Sequence, residues 1–161
     1  RRPASCSRGC ESIAGDCRPT SGSTGSKRTS VTEAFLDTNV LLYLVSADGR
    51  KADIAEQTIS AGGHVSVQVL NEFVSVARRK TRLRWNEIDD VLGTVRRICR
   101  VHAFTIETHD AARGLAEKHK LNFYDAAIVA SALAAGCDTL YSENLQDGRR
   151  FGTALRVRNP F

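Results

Sequence analysis

The 161-residue chain contains no methionine and no apolar run approaching the ~18 residues that cross a bilayer. The second absence excludes a helical membrane span. The first means that no initiator residue is present. No charged-then-apolar leader stands at the start, so the expectation is a cytoplasmic protein with no membrane partner. Zinc-type spacing is also missing. Cys6, Cys10 and Cys17 form no C-x-x-C pair and have no neighbouring histidine, and His64, His102, His109 and His119 are scattered. Cys99 and Cys137 sit among apolar residues and read as small buried hydrophobes. An odd cysteine count without a leader fits a reducing compartment.

A strong charge excess is lacking too, once its location is considered. The net charge is +5, but residues 1–32 hold six of the 23 basic residues and two of the 18 acidic ones. That leaves 17 against 16 for the remainder, so a global basic field gives little indication of a nucleic-acid partner. Residues 1–32 are rich in Ser, Thr, Gly, Arg and Pro, too apolar-poor to offset chain entropy. They read as a disordered or non-native N-terminal tail, and 33–161 as one domain.

Within 33–161, short apolar segments alternate with helical patterns. Ala34-Phe35-Leu36 reads as a strand ending at Asp37, followed by a helix through Val40 to Val45 capped by Thr38 or Asn39. A helix near Lys51 to Ser60 leads to a strand at His64-Val65-Ser66. Val69, Leu70, Phe73, Val76 and Ala77 mark a third helix, and Asn86 is placed to cap a fourth. Arg100 to Phe104 reads as a strand, and two helices follow, Thr108 to His119 and Phe123 to Ala135. Thr139-Leu140-Tyr141 and a weaker Ala154 to Val157 complete the set. Alternation of this kind implies right-handed crossovers. The expected fold class is α/β: a three-layer α/β/α arrangement with a mostly parallel, about five-stranded sheet. Ligands in such folds bind beyond the carboxyl ends of the strands.

Four acids therefore stand out. Asp37 follows the first strand, where it could equally be a helix cap. Glu72 lies on the apolar stripe of its helix beside Val69, Phe73 and Val76; it needs either a metal or a buried partner such as Arg78 or Arg79. Asp125 lies on an almost wholly apolar helix, with a capping box to Asn122 as the local alternative. Asp147 follows the Thr139 strand in an Asp-Gly pair, the usual mark of a surface turn. Carboxylates gathered at one sheet edge repel unless a cation neutralises them, and oxygen-only ligands select Mg²⁺ or Mn²⁺.

Four motifs in order then resemble the PIN-domain family over nearly all of 33–161. They are Phe35-Leu36-Asp37-Thr38-Asn39-Val40-Leu41, Ser66-Val67-Gln68-Val69-Leu70-Asn71-Glu72-Phe73, Phe123-Tyr124-Asp125-Ala126-Ala127-Ile128, and Leu140-Tyr141-Ser142-Glu143-Asn144-Leu145-Gln146-Asp147-Gly148. The small size and this wording resemble the VapC-type toxin branch. The resemblance implies a metal-dependent endoribonuclease, the toxin of a type II toxin–antitoxin pair, leaving 5′-phosphate and 3′-hydroxyl ends. It implies catalytic roles for Asp37, Glu72, Asp125 and Asp147, with Asp37, Asp125 and Asp147 holding Mg²⁺ (or Mn²⁺). Thr38, Asn39, Ser142 and Asn144 would support them. Many relatives carry Asp where this chain has Asn144, but others have Asn there and an acid three residues later, which Asp147 supplies, so the resemblance gives the fourth acidic role to Asp147.

Arg78, Arg79, Lys80 and Arg82, with Arg149 and Arg150, are the candidate RNA contacts, or else solvated helix ends. The implied partners are an RNA substrate, a cognate antitoxin protein and a second copy in a homodimer, with the helix from Val40 to Val45 offered as interface. The alternative function is a catalytically weakened PIN-fold module whose acidic pocket binds a basic partner protein. A haloacid-dehalogenase-type phosphatase is set aside, because the second Asp it needs two residues after Asp37 is Asn39.

Overall fold

The computed structural model describes residues 33–161; the expectation for the first 32 residues lies outside that range. In chain order the elements are β1 (Ala34–Leu36), α1 (Thr38–Tyr43), α2 (Gly49–Ser60), β2 (Gly63–Ser66), α3 (Val67–Val76), α4 (Trp85–Ile98), β3 (Cys99–His102), α5 (Ile106–His119), α6 (Phe123–Ala134), β4 (Thr139–Tyr141), β5 (Arg150–Phe151) and β6 (Leu155–Arg158). One π-helical turn, Ala77–Thr81, prolongs α3. It ends at Arg82, which adopts a left-handed φ of 55°.

The strands form one six-stranded sheet in the order β3-β2-β1-β4-β6-β5. All neighbours are parallel except β5 and β6, and helices cover both sides. The sixth strand is the two-residue β5, too short to carry a hydrophobic period. The chain winds outward from β1 through β2 to β3, then returns to β4 on the other flank of β1. The switch point of the topology therefore lies between the carboxyl ends of β1 and β4, the usual ligand crevice of open α/β sheets.

β1 and β2 are packed closely enough that Gly63, with φ at 151°, has no room for a side chain. A Cβ there would sit 2.8 Å from the Ala34 carbonyl oxygen. The main core cluster joins the sheet to its helices. Phe35, Leu36, Val65, Leu140 and Val157 from the sheet pack with Val40, Leu41, Val69, Phe73, Ile128 and Val129 from the helices. Helix α6 is buried from Ala126 through Ala132, as its apolar composition requires.

Several helix starts lie earlier than local signals indicate. Asp37 itself caps α1, Asp48 caps α2, and α4 begins after Arg84, whose backbone N–H donates to Glu87 Oε2 at 2.7 Å, rather than after Asn86. Of the segment offered as an interface, Val40 and Leu41 are fully buried, whereas Leu42 to Val45 are half-buried against the core. Cys99 and Cys137 are buried free thiols, with burial pushing Cys99 up to about 11 and Cys137 up to about 12.

Candidate active site

Asp37 stands at the switch point, only 3% exposed. Its backbone N–H donates to the Tyr141 carbonyl at 3.0 Å, which ties the ends of β1 and β4 together. Its carboxylate accepts three hydrogen bonds: from Thr38 N to Oδ1 at 2.6 Å, and from Asn39 Nδ2 at 3.0 Å and Ser142 Oγ at 2.5 Å, both to Oδ2. Ser142 is held in turn, because its Oγ accepts from the backbone N–H groups of Asn144 (3.2 Å) and Leu145 (3.4 Å). Burial raises the Asp37 pKa to about 6. The Ser142 and Thr38 bonds oppose the rise, and the nearby charges of Glu72 and Asp125 add to it.

Glu72 projects from the middle of α3 and is half-buried. Its partner is the Thr38 hydroxyl, which donates to Oε2 at 3.0 Å, rather than an arginine. Thr38 thus bonds both acids, Asp37 through its backbone and Glu72 through its side chain. Asp125 lies in the first turn of α6, where Asn122 caps by accepting from Tyr124 N. Among the described residues Asp125 receives no hydrogen bond, and burial raises its pKa. Three of the four expected acids therefore share one electrostatic neighbourhood, reached from β1, α3 and α6.

Asp147 is placed differently. It is exposed in the turn before β5, and its Oδ1 accepts from Asn159 N at 2.9 Å. It makes no hydrogen bond to the other three acids and adds nothing to the field at Asp37. The Asp-Gly turn signal describes this position better than the metal-ligand role. Asn144 is also exposed, and its contribution to the site is its backbone N–H.

The supporting set can be tested for a cation. Asn39 Oδ1 is buried without a hydrogen-bond partner, beside Asp37. With the carboxylates, this makes an oxygen-only donor set suited to a hard cation. Among the described residues no three His, Cys, Asp or Glu side chains converge into a ready-made cage. That fits an ion that keeps several waters and takes one or two carboxylates, as Mg²⁺ does.

The basic candidates divide. Arg79 lines a groove beside Glu72. Arg78 is occupied, bonding the Leu83 carbonyl at 2.7 Å and stacking on Trp85. Arg149 bonds the His119 carbonyl and lies over Phe151. Lys80, Arg82 and Arg150 are exposed.

Two groupings went unforeseen. Glu143 is bonded by Lys51 Nζ at 2.5 Å and by the Tyr43 hydroxyl, with Lys51 also over the Tyr43 and Phe161 rings. His64 and His102, expected to be scattered, stack with Nδ1 of the first 2.8 Å from Nε2 of the second. Neither grouping carries a local sequence signal, since both join residues distant in the chain.

A family model for the PIN domain matches residues 34–146. The chain belongs to the PIN-domain family. PIN nucleases generally use divalent metal ions. No curated protein matches the chain significantly. Solved structures with the same PIN fold include a toxin–antitoxin complex from Klebsiella pneumoniae, with 22% identity and a TM-score of 0.58, covering 80% of this chain and 98% of that one. The Mycobacterium tuberculosis toxin VapC20, described as cleaving the sarcin-ricin loop, has 20% identity and a TM-score of 0.57 over 68% and 88% of the two chains. VapBC2 of Rickettsia felis, solved bound to a fragment of promoter DNA, has 17% identity and a TM-score of 0.55 over 78% and 97%.

Proposed function

We propose that this PIN protein is a divalent-cation-dependent endoribonuclease that acts as the toxin of a type II toxin–antitoxin pair. The observation that carries this reading is Asp37, buried at the sheet's switch point with its pKa raised to about 6, in the field of Glu72 and Asp125. Such perturbation in a crevice is a mark of functional acids. Asp37 and Asp125 would hold Mg²⁺ or Mn²⁺, with Asn39 Oδ1 as a neutral third oxygen. When bound, the ion supplies a more acidic water and offsets charge on the phosphate.

The protein's own groups do the rest. Ser142 and the Thr38 N–H fix the direction in which Asp37 presents its oxygens, and Asp37 must lose its proton before it can act as a ligand. Glu72, which accepts a hydrogen bond from the Thr38 hydroxyl, would take a proton from the attacking water. The fourth acidic role assigned by resemblance to Asp147 is not part of this scheme, given its turn position.

The antitoxin partner is supported by the solved neighbours that are toxin–antitoxin complexes. A basic side chain inserted among the three acids would inhibit by the same electrostatics. Homodimerisation and a cytoplasmic location belong to the same proposal; no helix of the described residues is long and apolar enough to cross a membrane. A second reading, a weakened PIN module that only binds a basic partner, is favoured by the exposed position of Asn144 where an acid is common. Purified protein incubated with RNA and Mg²⁺ separates the two. The nuclease reading expects cleavage that EDTA and Asp37→Asn each abolish, whereas intact RNA across Mg²⁺ and Mn²⁺ titrations would leave only the binding module.

A further inference from the structure

A groove of about 420 Å³ opens along α3 beside the acidic cluster. Gln68, Asn71, Glu72, Ser75 and Arg79 recur at three- and four-residue spacing, so one stripe of the helix forms its floor. Tyr124 of α6, next to Asp125 in the chain, forms the opposite wall. Along the stripe Gln68 and Asn71 precede Glu72, which stands at the acidic cluster, and Ser75 and Arg79 follow it; Arg79 makes no hydrogen bond or ion pair among the described residues. Arg79 lies in the π-helical turn, a feature common near functional sites. Tyr124 is 57% exposed.

We propose that this groove seats one unpaired nucleotide next to the scissile phosphate, with its base stacked on Tyr124 and its edge met by Gln68, Asn71 and Ser75. Arg79 then holds a neighbouring phosphate. The proposal rests on the nuclease reading and adds a specificity site to it. Its volume lies in the range of small-ligand pockets, roughly 300–1,000 Å³, enough for a nucleoside and too small for a duplex. Amides carry donor and acceptor together, which is what base edges require. Sequence-specific RNA recognition stacks splayed bases on exposed aromatic rings and bonds their edges. A peptide helix would instead need a mainly apolar floor, and Val76 is the one aliphatic side chain lining the groove.

The test uses the full chain and a fluorescein-labelled ten-nucleotide RNA, with binding read by anisotropy in EDTA. Tyr124→Ala should weaken binding about tenfold, the scale of one lost base stack, while Tyr124→Phe, which keeps the ring, should bind as wild type does. Arg79→Ala should reduce the salt dependence by about one phosphate contact. In Mg²⁺, Gln68→Ala and Asn71→Ala should broaden the set of cleaved positions in a mixed-sequence RNA. Unchanged binding by Tyr124→Ala, with an unchanged circular-dichroism melt, would overturn the groove assignment. So would equal binding of the same sequence as a duplex, or binding of an oligoarginine peptide in place of RNA. Tyr124-dependent binding by a wild-type protein that never cleaves would sustain the groove and remove the nuclease reading. Cleavage with a pattern indifferent to Tyr124 would do the reverse.

Discussion

Ser142 and Glu143 are neighbours in the chain, yet they serve two carboxylate centres of opposite character. Ser142 donates to Asp37, where burial and two nearby acids raise the pKa to about 6. Glu143 is clasped by Lys51 and Tyr43, which hold its carboxyl below the usual range. At the first centre charge is stored against its own electrostatics; at the second it is relieved. The Glu143 carboxylate is paired with a cation, whereas Asp37 has only neutral hydrogen-bond donors and two acids near it. Removing charge at the two centres should therefore move stability and activity in opposite directions.

The largest expected effect is on activity at Asp37. Asp37→Asn should reduce cleavage by more than about 100-fold, the range lost when even an outer partner of a metal ligand is removed. In metal-free buffer at pH 7 the same variant should melt higher than wild type, because a buried charge has gone. A lower melting temperature with activity retained would show that Asp37 is only a helix cap.

Next in size is the pH and metal dependence of stability. The folded-state pKa of Asp37 is raised from 3.8 to about 6. Its favourable contribution is thus complete below about pH 4 and is lost as pH rises through 6, a swing of about 3 kcal/mol. Denaturant midpoints of the metal-free protein across pH 4 to 7 should show this fall, and Asp37→Asn should flatten it. A cation that binds the ionised form opposes the loss. At 100 times its dissociation constant, Mg²⁺ should restore about 2.7 kcal/mol at pH 7 and do little at pH 4. Cleavage should decline below about pH 6 as the proton competes for the same oxygens.

Glu143 sharpens the contrast. Glu143→Gln should lower the melting temperature by at most a few degrees at pH 7, since partly exposed ion pairs contribute little. The difference should vanish as pH falls below the usual carboxylate range, because the lowered pKa contributes only while the acid is ionised. Mg²⁺ affinity should not change. A large loss of Mg²⁺ affinity would mean that the two centres are one.

How far the chain could be read without coordinates follows the same division. The alternating strands and helices were legible because their apolar periods are local. That Asp37, Glu72 and Asp125 lie near one another was legible because a carboxylate at a strand end or on an apolar helix face conflicts with its surroundings. Partnerships across the fold were not: Ser142 meets Asp37 over 105 residues, and Lys51 meets Glu143 over 92. Nor was β5, whose two residues carry no period. The amides of Gln68 and Asn71 did leave a signal, a polar stripe flanking Glu72 on an otherwise apolar helix. For Asp147 the local signal, an acid followed by glycine, agrees with the turn observed.

The smallest expected effects are at Asn144 and Asp147, and they test whether the site needs a fourth acid. Asp147 Oδ1 accepts from the Asn159 N–H, so its present role is to fasten the segment after β6 to the turn before β5. Asp147→Asn keeps an oxygen able to accept that bond, and cleavage should change less than about threefold on a scale where tenfold is 1.4 kcal/mol. Asn144→Asp leaves intact the backbone N–H that steadies Ser142, so it too should act weakly in metal-free protein. Rates measured across a Mg²⁺ titration for both variants decide the matter. If Asp147→Asn falls as far as Asp37→Asn, the turn must rearrange to bring Asp147 to the cation when RNA binds, and the three-acid site described above is incomplete. If Asn144→Asp instead tightens Mg²⁺ and raises the rate, the missing charge belongs at position 144. The chain would then be a PIN nuclease that works with weakened cation affinity.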